Sequence, residues 1–245
     1  MTLAEKLIKV DEGIEKAKAL NAELELSIYG NDTGKKSEYD EFWGYLQQNG
    51  GRTDYGYGFA GEGWTEASFK PKYNIYPIVA RYMFCTAAKL KIDFVEHLAK
   101  LGVALDFSRA TSINHAFSYC YATRIGVVDT RKAPNLNGLF EYSRFVTIEK
   151  LILKDDGSQT FSSTFGGQTL LENITIEGVI GKAIDCGACS KLTKASIISI
   201  VNALSTTTSG LTVTLSKTAV NNAFTTDEWN ALRATKPDWE FIFIA

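Results

Sequence analysis

Histidine, cysteine, proline and methionine are scarce in this chain: two, four, four and two among 245 residues. Two histidines, His97 and His115, leave little room for a metal centre built on imidazole or for imidazole-based acid–base chemistry. Four cysteines are too few for the disulfide framework of a small secreted scaffold. No apolar stretch approaches the ~20 residues needed to cross a bilayer, so membrane insertion is not expected. Acid and base are interspersed at a net charge of −2, and no basic run stands out, which argues against nucleic acid as a partner. The start Met1-Thr2-Leu3-Ala4-Glu5-Lys6 has no apolar core of the signal-peptide kind, so synthesis in the cytoplasm without a classical signal is expected. Also missing are the nucleophile elbow, the paired-histidine zinc motif, the Walker-type loop and the dinucleotide fingerprint. The reading is therefore non-enzymatic: no catalytic, metal or cofactor-binding residue is assigned.

What the chain does have is a degenerate repeat of about 23 residues in its second half. Phe117, Phe140, Phe165 and Cys186 open successive units, 23, 25 and 21 residues apart. Met83-Phe84-Cys85 reads as an earlier, divergent opener. An apolar triplet spaced φ-x-x-φ-x-φ follows each regular opener: Ala122/Ile125/Val127, Ile148/Leu151/Leu153, Leu171/Ile174/Ile176 and Leu192/Ala195/Ile197. That period and triplet predict an α/β fold, a leucine-rich-repeat-like solenoid with a parallel β-ladder. Residues 150–153 are expected to stack on residues 173–176. A solenoid of this kind displays a surface and seldom houses a reaction.

Three regions follow. Residues 1–28 place Leu3, Leu7, Val10, Ile14, Ala17, Asn21 and Leu24 at alternating steps of four and three, a heptad seam. Such a helix either self-associates as a coiled coil or packs on its own chain, and both readings stay open. Residues 29–77 form an aromatic- and glycine-rich linking or capping region, with a helix expected at 38–48. Its Tyr55, Tyr57 and Trp64 could stack on sugar faces or close the end of the solenoid core. Residues 78–245 are read as the solenoid with a helix–strand cap. Within it residues 91–94 and 103–107 alternate like strands around a short helix at 95–101. Residues 210–216 alternate as a clean strand, a helical turn or two follows at 217–223, and Thr225 to Glu228 is a capping-box start. Residues 239–244 are apolar enough for a buried last strand. Cys186 and Cys189 match C-x-x-C, but they fall in the slots of Phe165 and Gln168, which favours apolar filler over zinc or redox chemistry. Asp155-Asp156 and Asp227-Glu228 read as turn and helix-start residues.

The chain resembles the leucine-rich-repeat proteins of the BspA-like type, in particular the short versions of phages and prophages of gut Gram-positive bacteria. The resemblance rests on residues 1–7, Tyr39-Asp40-Glu41-Phe42-Trp43, Gln47-Gln48-Asn49-Gly50, Phe59-Ala60-Gly61-Glu62-Gly63-Trp64 and Phe69-Lys70-Pro71-Lys72-Tyr73. Leu105-Asp106-Phe107-Ser108, the repeats, Thr214-Leu215-Ser216 and Ala219-Val220-Asn221 complete it. It implies a tail-fibre or tail-tip component in the virion that contacts bacterial cell-surface polysaccharide or protein and other virion proteins. The heptad seam is then expected to make the chain a homo-oligomer, a trimer if the protein is a fibre. The alternative is a bacterial leucine-rich-repeat protein, adhesin-like, at the cell surface or in the cytoplasm. A carbohydrate-active enzyme is the third reading, and it would need an acidic pair facing one cleft.

Overall fold

The computed structural model describes residues 54–71 and 74–244. The heptad seam Leu3 to Leu24 and the helix expected at 38–48 lie outside the described residues.

Each phenylalanine opener is the centre of a tightly wound turn. Ala116 N–H donates to the Ile113 carbonyl, Ser118 N–H to His115 and Cys120 N–H to Phe117, at 3.1, 3.2 and 3.1 Å. The same three bonds recur at Leu136, Gly138 and Phe140, and again at Phe161, Ser163 and Phe165. One unit is then tied to the next by a second set. His115, Phe117 and Tyr119 donate to the carbonyls of Asn137, Leu139 and Glu141 at 3.0, 2.9 and 2.8 Å. Gly138, Phe140 and Tyr142 repeat the pattern one unit later. The stack starts before residue 78, because Tyr57, Phe59 and Gly61 donate to Arg81, Met83 and Cys85 in the same way. This register places every opener ring over the next. Phe59, Phe84, Phe117, Phe140 and Phe165 form a continuous buried pile with centroids 5.2, 5.3, 5.7 and 5.8 Å apart and interplanar angles of 18, 5, 13 and 19°. Each such ring pair adds ~0.5–1.5 kcal/mol beyond the area it buries.

The chain is mixed α/β, with its parallel strands in two three-stranded sheets. In the first sheet β1 (Arg124–Asp129), β2 (Thr147–Ile152) and β3 (Asn173–Glu177) lie side by side in chain order. Ile125, Ile148 and Ile174 share one rung and Val128, Leu151 and Ile176 the next. Two expectations are corrected here. Val127 is 49% exposed, and Val128 takes the core position instead. Thr147, not Lys150, stands opposite Asn173. The cause is a bulge between Ile148 and Leu151: β1 and β2 step three residues between core positions where β3 steps two.

β1 ends in a charged corner. Asp129 is buried, and Arg131 donates to its carboxylate from Nε at 3.0 Å and from Nη2 at 2.6 Å. The Arg131 bonds hold the Asp129 carboxyl below its ordinary value of 3.8, against the opposing effect of burial. A depressed folded value stabilises above the unfolded one, and the gain is lost as pH falls through the folded value. Asp129→Asn is therefore expected to be less stable than wild type at neutral pH, with the gap narrowing below pH 3.8. Urea midpoints at both pH values test it, and a gap independent of pH would refute it.

The fourth apolar triplet is not a strand. Thr193 caps α2 (Lys194–Ala203), so Ala195 faces solvent while Ile197, Ile200 and Val201 pack inward at helical spacing. The helix closes the open edge of β3 with side chains: Ile174 N–H donates to Ser196 Oγ at 3.0 Å and Ile176 N–H to Ser199 Oγ at 2.8 Å. Two serines one turn apart thus do for the sheet edge what a fourth strand would have done. Upstream, α1 (Phe94–Leu101) is capped by Asp93 and ended by Gly102 at φ +67°, which agrees with the helix expected there. The segments flanking it are not strands but make single bridges, Asp93 to Arg124 and Ile75 to Leu105.

The second sheet joins β4 (Ile184–Cys186), β5 (Leu211–Ser216) and β6 (Trp239–Ile244), all parallel. The helices α3 (Lys217–Ala223) and α4 (Thr226–Ala234) lie between β5 and β6, and the capping box at Thr225 and Glu228 is present. β6 exists as expected but is buried only at Trp239: Ile242, Phe243 and Ile244 are 39, 39 and 46% exposed. Only one of its edges is paired, because β5 is its sole neighbour among the described residues.

Candidate functional site

The wound turns force a backbone conformation that L-residues rarely take. Two residues per unit, four apart, have positive φ: Tyr57 and Gly61, Tyr82 and Thr86, His115 and Tyr119, Gly138 and Tyr142, Ser163 and Gly167. These are the positions two before and two after each phenyl ring of the core pile. A left-handed conformation costs about 1–2 kcal/mol for a residue with a Cβ. Tyrosine gains nothing there by local hydrogen bonding, unlike asparagine or aspartate, so its recurrence points to a use for the ring.

The rings build two ladders on the surface. Tyr57 stacks on Tyr82 with centroids 4.8 Å apart and planes 6° apart, and Tyr82 stacks on His115 at 5.1 Å and 4°. The His115 ring then lies on Gly138, where an added Cβ would meet Nδ1 at 2.1 Å. In the second ladder Tyr119 stacks on Tyr142 at 5.0 Å and 19°. Tyr142 lies on Gly167 in the same manner, an added Cβ meeting Cδ1 at 2.3 Å. A glycine at positive φ thus ends each ladder: it accepts the backbone angle and leaves room for the ring above. Tyr57, Tyr119 and Tyr142 are 61, 45 and 51% exposed. Charged side chains of both signs occur in the same units. His115 Nδ1 is 3.5 Å from Glu141 Oε2, Lys89 Nζ is 4.0 Å from Glu62 Oε2, and the Arg144 guanidinium lies 4.6 Å from the Tyr121 ring centroid. Chemically these units offer flat apolar rings, phenol hydroxyls and charges of both signs. That suits reversible contact with polar, partly apolar ligands.

Of the residues singled out in the sequence as stacking candidates, Tyr57 alone is on this face. Tyr55 and Trp64 are 2 and 4% exposed and pack on Phe59, with ring centroids 6.2 and 5.3 Å away, so they fill the core. Tyr82, Thr86, His115, Tyr119 and Tyr142 were not singled out as ligand-facing. The signal that finds Tyr82, His115, Tyr119 and Tyr142 is an aromatic at two residues before or after the opener phenylalanine; Thr86 carries no such signal.

The other candidate groups have structural partners. His97 is buried beneath Phe69, with Nε2 2.6 Å from the Phe69 carbonyl. Cys186 and Cys189 are buried and free, and Cys189 N–H donates to the Cys186 carbonyl as Gln168 does to Phe165, so they occupy the aligned slots. Its hydrogen bond with Cys189, and then burial, push the Cys186 thiol well above the usual range, and burial pushes Cys120 up to about 12. Thiols so held are protonated and poor nucleophiles. Asp156 accepts from Ser158 N–H in a turn, and Glu228 caps α4 and pairs with Lys194. A groove of about 250 Å³ between α1 and β1 is lined by Val95, Leu98, Leu105 and Val127 among others, with no titratable side chain. No three metal-binding side chains cluster among the described residues, and no described helix is long and apolar enough to cross a membrane.

Compared with known proteins, the chain matches no family model, no curated protein sequence and no solved structure.

Proposed function

We propose that the chain is a non-enzymatic recognition protein, a leucine-rich-repeat-like solenoid acting as a phage or prophage tail-fibre or tail-tip component on a bacterial surface. The observation that carries this reading is the pair of exposed aromatic ladders. Left-handed tyrosines cost stability, and a fold that keeps them in successive units keeps them for contact. The stacked units support the solenoid part of the reading, since each phenyl opener repeats the turn of the one before. The heptad seam from Leu3 to Leu24 makes the chain a homo-oligomer, with a trimer favoured, so that several weak faces act together.

The test is binding of the labelled full-length chain to a panel of intact Gram-positive cells. Saturable binding to some strains is expected, weakened at least tenfold in Tyr57→Ala with Tyr142→Ala. In the same assay Leu7→Asp with Ile14→Asp lowers apparent affinity, and light scattering of that sample shows the smaller mass. Absence of binding across the panel, or full binding by the ladder variant, would remove the reading.

A further inference from the structure

The two ladders differ by one ring. Within a single unit, Tyr82 and Thr86 occupy the two left-handed positions, at φ +55° and +57°. Both are tied to the next unit by the same bond: Tyr82 N–H donates to Asn114 at 3.1 Å and Thr86 N–H to Ser118 at 2.8 Å. Tyr82 puts its ring on His115. Thr86 has no ring to put on Tyr119, and one unit earlier Gly61 has no side chain at all. Tyr142 occupies one face of Tyr119, and no aromatic ring among the described residues stacks on the other. The second ladder therefore begins with a step, an exposed tyrosine face standing over a floor of Thr86 and Gly61.

Threonine is an unusual occupant of that floor. It is β-branched in a left-handed conformation, a marked outlier. Its Oγ1 donates to the Cys85 carbonyl at 2.7 Å, which takes the hydroxyl out of use for a ligand. Three residues after Thr86 and one after Gly61, Lys89 and Glu62 are paired at 4.0 Å with side chains 62 and 72% exposed, a donor and an acceptor facing solvent. The first ladder shows what fits the empty position: there Tyr82 lays a six-membered ring 5.1 Å from the ring of the next unit, His115. A sugar ring has this size, an apolar face to lay on the aromatic, and hydroxyls around its rim for Lys89 and Glu62. A phosphate-bearing ligand is disfavoured, because Lys89 is already paired with Glu62.

We propose that the free face of Tyr119, above Thr86, is a carbohydrate subsite that takes one pyranose ring of a surface polysaccharide. This rests on the recognition reading above for its biological setting, though not for its chemistry. The test replaces the ligand by a side chain. Thr86→Tyr completes the ladder with the residue already found at Tyr57, Tyr82, Tyr119 and Tyr142 in the same conformation. It is expected to fold, to melt no lower than wild type, and to lose binding at least tenfold. Tyr119→Ala loses binding to the same degree and keeps the test open should Thr86→Tyr not fold. Thr86→Gly, which only relieves the backbone, keeps wild-type binding.

Each protein is measured on an array of printed bacterial glycans and on intact cells. Array binding lost in Thr86→Tyr and Tyr119→Ala is the expected result. No array binding by wild type, or array binding untouched by both variants, overturns the subsite. If the variants lose cell binding, but protease treatment of the cells abolishes it and the glycans do not compete, the step takes an aromatic side chain of a protein and the carbohydrate assignment is overturned. Array binding that behaves as expected, with no strain bound, leaves the subsite standing and removes the tail-recognition reading.

Discussion

Phe117→Ala is expected to lose about 3–5 kcal/mol of stability. Phe117 is fully buried and touches rings on every side. It stacks between Phe84 and Phe140 at 5.3 and 5.7 Å, and Phe94, Phe107 and Phe145 meet it edge-on at 6.1, 5.6 and 5.5 Å. Truncation leaves a cavity that cannot collapse, because its walls are themselves rungs held by backbone bonds to the units before and after. A typical domain is stable by only about 5–15 kcal/mol, so the loss is a large fraction of the whole. Phe165 supplies the control: it ends the pile with Phe140, at 5.8 Å, as its one ring neighbour among the described residues. Urea unfolding should give a clearly smaller loss for Phe165→Ala than for Phe117→Ala. Equal losses would mean that the pile does not carry the stability argued for it.

The second large effect is polar. Gln159 is fully buried between the turn after β1 and the turn after β2, and its amide is used at both ends. Nε2 donates to the carbonyls of Thr130 and Ala133 at 2.8 and 2.7 Å, while Oε1 accepts from Lys154 N–H at 2.7 Å. Gln159→Leu fills a similar volume but strands the Ala133 carbonyl and the Lys154 N–H, at about 1–3 kcal/mol for each buried group left unpaired. A loss of about 2–4 kcal/mol is expected at neutral pH. Gln159→Glu separates hydrogen bonding from packing. Its carboxylate faces two carbonyl oxygens where the amide donated, so it should be worse than leucine at neutral pH. It should recover in part on acidification, when the protonated acid can donate again. A loss below ~1 kcal/mol for leucine, or no recovery of the glutamate variant in acid, would show that water or backbone movement rescues the site.

Much of this architecture is local and can be read along the chain. The openers Phe117, Phe140 and Phe165 recur at a near-constant interval because stacked units need the same ring at the same place. The caps of α1 and α4, Gly102 after α1 and the alternation of β5 are likewise set by neighbours within a few residues. Other features have no local signature. Leu192, Ala195 and Ile197 fit both a strand triplet and a helix; Thr193 as cap, with Ser196 and Ser199 placed to accept from β3, decides for the helix. Val127 and Val128 are interchangeable by composition, and the shared bulge of β1 and β2 turns one outward and the other in.

The candidate site divides the same way. Residue types alone marked Tyr55, Tyr57 and Trp64 as a group, yet burial divides them, because Tyr55 and Trp64 close the core around Phe59 while Tyr57 stands clear of it. Composition, period and the buried phenyl pile belong to the sequence, since hydrophobic spacing is a property of one chain segment at a time. The outward ladders and the step at Thr86 belong to the tertiary structure. A left-handed residue shows its direction only when the next unit is in place, and rings 23 to 33 residues apart become neighbours only through the bonds between units.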